Sequence, residues 1–372
     1  CEWGEHSDLR GYKIFIQVEN LSILIEPRQD PENRSTTMGT SRPSVLFVLF
    51  GGVLALAAAQ VNPCPAPDSL RPCTCDNTGI NCMKAKSTAD LEKAFSGKEK
   101  TIHKALWIQN RAITKIENNT FGDYAFAKVY VDLNRKLTSF PLSCLDKSSK
   151  YLDELSLYGN GLSSLTSIDY IWLPRFKRLR TLNLANNNLS YVPVGAFSNP
   201  SLQTLSLNKN PITNIGAYAF KNLPSLRTLE LRLIRAKVLG AYSLAIPKHH
   251  PELEIRLQAG QVETVEENAF KGTAPLAVNL QFNNLVEFSE PVFQPLITAM
   301  ASNARKNNML GDARILTKGN QFSCAGCEFS WLTTLKNKPD VMLMLIDFRC
   351  RDRTAVWNIT NARLGCLYKP RP

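Results

Sequence analysis

Between residues 105 and 290 the apolar positions return in one frame: apolar, any, apolar, two of any, Asn, any, apolar, two of any, apolar, then a large apolar residue five places on. Leu182-Asn-Leu184-Ala-Asn-Asn187-Asn-Leu189-Ser-Tyr-Val192 with Phe197 is the clearest copy. Others centre on Arg111, Asn134, Asn160, Asn210, Ile234, Gly260 and Asn283, at steps of 23 to 27 residues. The alternation predicts a short strand in each copy, with residues such as Leu182 and Leu184 turned inward. Burying one Leu contributes about 1.5–3 kcal/mol, and a copy can bury its inward face only against a stacked neighbour. The Asn is expected at a turn, its amide bonded to backbone of adjacent coils; an unpaired buried donor there costs about 1–3 kcal/mol. Arg111, Ile234 and Gly260 interrupt this column, which predicts irregularity in the first, sixth and seventh copies.

Steps of this length fall in the range of leucine-rich repeats. The expected fold is therefore an α/β solenoid, a leucine-rich-repeat horseshoe with a parallel concave sheet and cysteine-rich caps. Ten residues after the ladder position come Phe121, Tyr170, Phe197, Phe220, Leu244, Phe270 and Phe293. A column locked to the repeat phase is what core packing on the convex side requires, and a cofactor-stacking role is disfavoured. In the second copy Cys144 and Leu145 compete for this place, because Arg135-Lys136-Leu137 carries one extra residue.

The chain has 372 residues, 44% of them hydrophobic and 20% charged, which excludes a disulfide mini-protein and a disordered chain. Its ten Cys point to an oxidising compartment. Residues 1–37 carry no turn-and-core pattern and are expected to lie outside the functional protein, since the chain opens on Cys1 rather than Met. Residues 38–59 have the order of a secretory signal peptide: a short basic stretch with Arg42, an apolar run from Val45 to Ala59, and small residues at the exit. An N-terminal cysteine cap is expected over 60–100, about eight or nine repeats over 101–322, and a C-terminal cysteine cap over 323–372. No later apolar run reaches spanning length, so the product is expected to be secreted and extracellular, with no membrane span.

Little material suits catalysis. There is no Gly-x-Ser-x-Gly elbow, phosphate loop or His-Glu-x-x-His; Gly159-Asn-Gly161 lacks the third Gly of a dinucleotide fingerprint and lies in a repeat turn. His249-His250, set between prolines, reads as a solvated loop, and no cofactor or metal is expected. The formal charge of +12 raises anionic partners. Arg175-Phe-Lys-Arg-Leu-Arg180 is the densest cluster, but Asp132, Glu154, Glu230 and Glu254 mix with Arg232 and Arg256 on the expected outward face, which disfavours nucleic acid.

Solenoids commonly bind on their curved inner surface. The outward concave residues are expected to be Trp107, Tyr130 and Tyr158, then Thr181, Asn183, Thr204, Ser206, Asn208, Glu230, Arg232, Arg256 and Asn279. The exposed aromatics are expected to anchor a protein partner. Sequons at Asn118, Asn188 and Asn358 are expected to carry N-glycans and so to face solvent.

Cys64, Cys73, Cys75 and Cys82 precede the array, and Cys324, Cys327, Cys350 and Cys366 follow it. Two groups of four resemble the flanking modules of extracellular leucine-rich-repeat proteins. That resemblance implies the pairs Cys64 with Cys75, Cys73 with Cys82, Cys324 with Cys350, and Cys327 with Cys366. Cys324-Ala-Gly-Cys327 alone would also fit a redox pair or half a zinc site; its place after the array favours a cap bridge. Cys144 is left as a buried, inert thiol.

Narrower signatures are Pro72-Cys-Thr-Cys75 through Cys82, Leu91-Glu-Lys-Ala-Phe95, Val265-Glu-Glu-Asn-Ala-Phe270, Val292-Phe-Gln-Pro-Leu-Ile-Thr-Ala-Met300 and Cys327-Glu-Phe-Ser-Trp-Leu332. Over about residues 62 to 360 the chain resembles the arthropod secreted leucine-rich-repeat proteins grouped with the non-catalytic subunit of Oplophorus-luciferin 2-monooxygenase. It departs from them around Ser302 to Asp312 and at Arg351-Asp-Arg-Thr354. The resemblance implies a companion chain that does not itself oxidise substrate. The expected function is binding of an extracellular protein without catalysis; the alternatives are an accessory role beside a catalytic subunit, or recognition of an anionic glycan or microbial surface.

Overall fold

The computed structural model describes residues 64–366, together with the backbone of three upstream strands, Gly4–Glu5, Tyr12–Gln17 and Ser22–Pro27. The chain divides into two compact units, Cys1–Ala59 and Gln60–Pro372. In the first, Tyr12–Gln17 pairs antiparallel with both other strands. Tyr12-Lys-Ile-Phe-Ile16 and Ile23-Leu-Ile25 are rich in β-formers, which accounts for the pairing of these two segments. The segment 38–59, read as a signal peptide, lies outside the described residues.

The second unit is built on a sheet of twelve strands. An antiparallel hairpin, Thr74–Asp76 with Gly79–Asn81, opens it, and every later neighbour pairs parallel in chain order. The central strands are only three residues long, as in Thr181–Asn183, Thr204–Ser206, Thr228–Glu230 and Glu254–Arg256. Register is strict: Leu155, Leu182, Leu205, Leu229, Ile255, Val278 and Ile315 lie side by side, all fully buried. The sheet runs undisturbed past the sixth and seventh copies, so the expected irregularity there is absent. Leu231 and Leu257 fill the inward positions beneath Ile234 and Gly260 as their counterparts do elsewhere.

The asparagine ladder carries the coil-to-coil polar bonding. Asn210 donates to the carbonyls of Leu184 and Leu207 and accepts from the amide of Leu189; Asn160, Asn187 and Asn283 repeat the donor pattern one coil apart. In the first copy the ladder residue is Asn110, not Arg111: Asn110 reaches the Met83 and Ala85 carbonyls while Arg111 is exposed. That copy has one residue fewer between its last inward residue, Ile108, and its Asn, so the frame slips by one. A further member, Asn320, donates to Leu280 and Thr317. It lies a whole inserted helix, Glu290–Lys306, after Asn283, outside the regular step.

Except in the first copy, the residue just before each ladder position turns through left-handed backbone: Leu133, Gly159, Asn186, Lys209, Leu233, Ala259, Phe282 and Gly319 all have φ between 55° and 80°. For a residue with a Cβ this region costs roughly 1–2 kcal/mol.

On the convex side Phe121, Phe197, Phe220, Leu244, Phe270 and Phe293 are buried, and Phe197 stacks on Phe220 with ring centroids 5.7 Å apart. Tyr170 is only half-buried; Ile168 and Leu173 fill the core of that longer copy instead. In the second copy both Cys144 and Leu145 are buried. Ends are closed by helix Thr88–Ala94 and bridges Cys64–Cys75 and Cys73–Cys82 on one side. On the other lie Glu290–Lys306 and bridges Cys324–Cys350 and Cys327–Cys366. No helix of the described residues is long and apolar enough to cross a membrane.

Candidate recognition surface

In a parallel in-register sheet, equivalent positions of successive strands form rows across the outward face. The central row reads Asn81, Trp107, Tyr130, Ser156, Asn183, Ser206, Glu230, Arg256, Asn279, Leu316 and Ile346. The expected residues Trp107, Tyr130, Asn183, Ser206, Glu230, Arg256 and Asn279 share it. Thr181 and Thr204 stand in the row on one side, level with Lys128, Glu154, Thr228 and Glu254. Tyr158, Asn208 and Arg232 each come two residues after a central-row residue. Tyr158 is therefore not the third member of the aromatic row: the register puts Ser156 beside Tyr130. What the structure brings together is a pair, Trp107 stacked on Tyr130 with centroids 6.2 Å apart and planes within 10°.

Most polar groups here are already committed. Tyr130 donates its hydroxyl to Glu154 at 2.9 Å, and Glu154 also meets Lys128 at 3.2 Å. Burial, reinforced by that carboxylate, pushes the Tyr130 phenol up to about 12. Asp132 accepts from the Ser156 hydroxyl and the Tyr158 amide, and its burial outweighs these bonds to raise its carboxyl above the usual value. Glu230 accepts from Ser206, Asn208 and Arg256, and Arg256 also forks onto Glu254. Arg314 stands 3.8 Å from the same Glu254. Asn183 and Asn279 each accept a backbone amide two residues on. The charges expected from the sequence thus fall into three separate clusters, Lys128–Glu154–Tyr130, Asp132–Ser156–Asn183 and Glu230–Arg256–Glu254, each tying neighbouring coils, and such groups have little rotamer freedom left to lose on binding. Arg232 differs: its backbone amide donates to Asn208, while its side chain is exposed and pairs with no acid among the described residues.

The other flagged residues fall away from this face. Within the Arg175–Arg180 cluster, Arg175 pairs with Asp146 and covers the Trp172 ring at 4.1 Å, Arg180 pairs with Asp153, and Phe176 and Leu179 are core residues. His249 is not in a solvated loop. It is half-buried with Nδ1 against the His250 carbonyl at 2.7 Å and Nε2 accepting from the Ala274 amide at 3.1 Å, and burial lowers its pKa. Both ring nitrogens are used, which leaves none for a metal, and no His, Cys, Asp and Glu group among the described residues could hold one. Cys144 is unbridged and buried; burial drives its thiol well above the usual value, against nucleophilic use. Asn118, Asn188 and Asn358 are exposed.

Unflagged by the sequence are Arg135, Lys209, Leu233 and Arg235, which line two hollows at the rim of the concave face. The signal available for them was the left-handed position before each ladder residue, which pushes Lys209 and Leu233 outward at the rim.

Stacked parallel strands of three residues, an asparagine ladder and disulfide-closed ends define the class: the chain is a leucine-rich-repeat solenoid with cysteine-rich caps. The leucine rich repeat family model matches residues 177–232. A TLR13 chain solved in complex with ssRNA13 shares the fold at a TM-score of 0.50 and 20% identity, covering 64% of this chain and 31% of that one.

The chain is similar to the Oplophorus-luciferin 2-monooxygenase non-catalytic subunit of Oplophorus gracilirostris, at 26% identity over 279 residues, or 66% of this chain and 76% of that protein. It is also 28% identical over 197 residues to leucine-rich repeats and immunoglobulin-like domains protein 2 of Mus musculus, and 27% identical over 215 residues to Toll-like receptor 3 of Bos taurus. These matches cover 53% and 57% of this chain but only 18% and 21% of the two longer proteins.

Proposed function

We propose that the chain is a secreted leucine-rich-repeat protein that binds an extracellular protein partner through its concave face and performs no catalysis of its own. The observation that carries this reading is the outward sheet itself. A stacked Trp107–Tyr130 pair stands toward one end of a row whose polar groups are held by neighbours, Ser156 by Asp132, and Ser206, Glu230 and Arg256 in a cluster with Glu254. Rigid aromatics on a pre-organised polar floor supply contact area at low entropic cost.

The test is affinity capture from extracellular fluid of the source, with wild type and with Trp107→Ala, Tyr130→Ala and Arg232→Ala. Loss of the captured partner by at least tenfold in the aromatic variants is expected, since central aromatic anchors contribute about 2 kcal/mol or more. Equal capture by all variants overturns the concave-face assignment.

A second reading, an accessory subunit beside a catalytic chain, draws support from the similarity along 76% of a non-catalytic subunit. Co-purification of an enzymatic activity that the isolated chain lacks would favour it.

A further inference from the structure

Leu233 occupies the left-handed position of its coil at φ 58°, where Gly or Asn would sit without strain, and it is 47% exposed. A large apolar residue that is both strained and half in solvent gains nothing from the fold at that place. Three cations stand near it. Lys209 and Arg232 share with Leu233 a hollow of about 480 Å³ opening on the sheet, and Arg235 follows two residues on. A neighbouring hollow of about 550 Å³ runs from Leu233 and Arg235 across the coils to Arg135 and is lined by Asn188, an expected glycan site, which sets it outside the contact. Among the described residues none of these three side chains is in an ion pair, although ion pairs are frequent elsewhere on this surface. The only acidic residue lining either hollow is Glu230, already held by Arg256, Ser206 and Asn208.

We propose that this rim is a docking site for an acidic protein segment carrying one or two apolar side chains, which sit over Leu233 and Ala259 while flanking carboxylates meet Lys209, Arg232 and Arg235. Charge complementarity selects the acidic class, because three cations without an ion-pair partner among the described residues hold a positive potential around one ridge that anionic groups neutralise. The apolar ridge at their centre selects a peptide over a sulfated glycan, which has no side chain to cover Leu233. The site deepens the concave-face reading, on which it rests, since the hollow shared with Lys209 and Arg232 is the edge of that sheet.

The experiment uses the full secreted chain and a fluorescein-labelled peptide in which two Phe are embedded in a run of Asp and Glu. Controls are the same peptide with Ser in place of Phe, and a heparin octasaccharide. The Phe peptide should bind at least tenfold more tightly than the Ser peptide. Lys209→Ser with Arg232→Ser should weaken it at least tenfold. Leu233→Asn, which suits the left-handed turn and so preserves the fold, should abolish the preference for Phe without changing the weak Ser-peptide affinity. Equal binding of both peptides, a preference for Phe that survives Leu233→Asn, or an octasaccharide that binds more tightly than the Phe peptide identifies a general polyanion surface and overturns the proposal, as does failure of both peptides to bind. Trp107→Ala is run beside these variants against the native partner. If capture depends on Trp107 but not on Leu233, the concave-face reading stands and this site falls.

Discussion

The two ends of the solenoid are closed by the same means, an aromatic nest plus two disulfides, yet they differ in how completely their polar groups are answered. At the C-terminal end Phe288 stacks on Phe293 at 3.8 Å and on Trp331 at 5.7 Å, with Phe322 and Phe348 against it. The one polar group there, the Trp331 indole N–H, donates to the Phe288 carbonyl at 3.0 Å. At the N-terminal end Phe95 meets Phe121, Tyr124 and Phe126 edge-on, and His103 lies flat against Tyr124. Both His103 ring nitrogens are buried without a hydrogen bond, and the Glu99 carboxylate stands 3.8 Å off, beyond bonding reach. One lid is sealed; the other keeps a titratable ring in its core.

The largest effect expected is from Phe288→Ala, which removes the hub of the C-terminal nest and should cost about 3–5 kcal/mol, read as a drop in the denaturation midpoint. An equal loss from Phe95→Ala would show the two nests to be equivalent cores.

Next come the bridges. Cys327 and Cys366 are 39 residues apart in sequence, Cys73 and Cys82 only 9. Loop-closure entropy then predicts about 4 kcal/mol lost on replacing the first pair with Ser and about 2.6 kcal/mol for the second. The reverse order in chemical denaturation would mean that strain or residual structure governs the lids.

Ser87 caps helix Thr88–Ala94 by accepting from the Asp90 amide, so Ser87→Ala should cost about 1 kcal/mol at the N-terminal end alone, visible as faster local hydrogen exchange.

The smallest effect separates the ends by pH. Burial lowers the pKa of His103, opposed only by the Glu99 charge. The folded form therefore stays neutral where the unfolded chain takes up a proton. Stability from this group is fully present above about pH 6.5 and declines as pH falls below it. Protection against hydrogen exchange near Phe95 and Tyr124, after division by the intrinsic rate at each pH, should fall from pH 7 to 5, protection near Trp331 should not do so through this mechanism, and His103→Phe should flatten the difference. An unaltered pH slope in that variant removes His103 as its source.

Much of the fold was legible because the repeat writes its inward residues in a fixed frame, and residues such as Leu182, Leu205 and Leu229 sit where that frame puts them. Legibility failed wherever the count changed. One missing residue moved the first ladder position from Arg111 to Asn110, and a 17-residue helix hid Asn320 from the period. On the outward face, the residue types were readable but their partners were not: Glu230 and Arg256 meet only because strands about two dozen residues apart in sequence lie side by side. His103 left no trace in the pattern, since one polar residue at an inward strand position reads like any other interruption until the rings around it are in place.

The left-handed residue ahead of each ladder position also acts as punctuation. A saturation-mutagenesis profile of this chain should show a comb, eight narrow teeth recurring with the coils, at which Gly and Asn are tolerated and Val or Ile is rejected. Teeth now occupied by Leu133, Leu233 and Phe282 would be ones where substitution by Gly or Asn raises thermal stability, and any such position that nonetheless resists improvement in a binding selection would mark a place where the molecule gives up robustness to keep a contact.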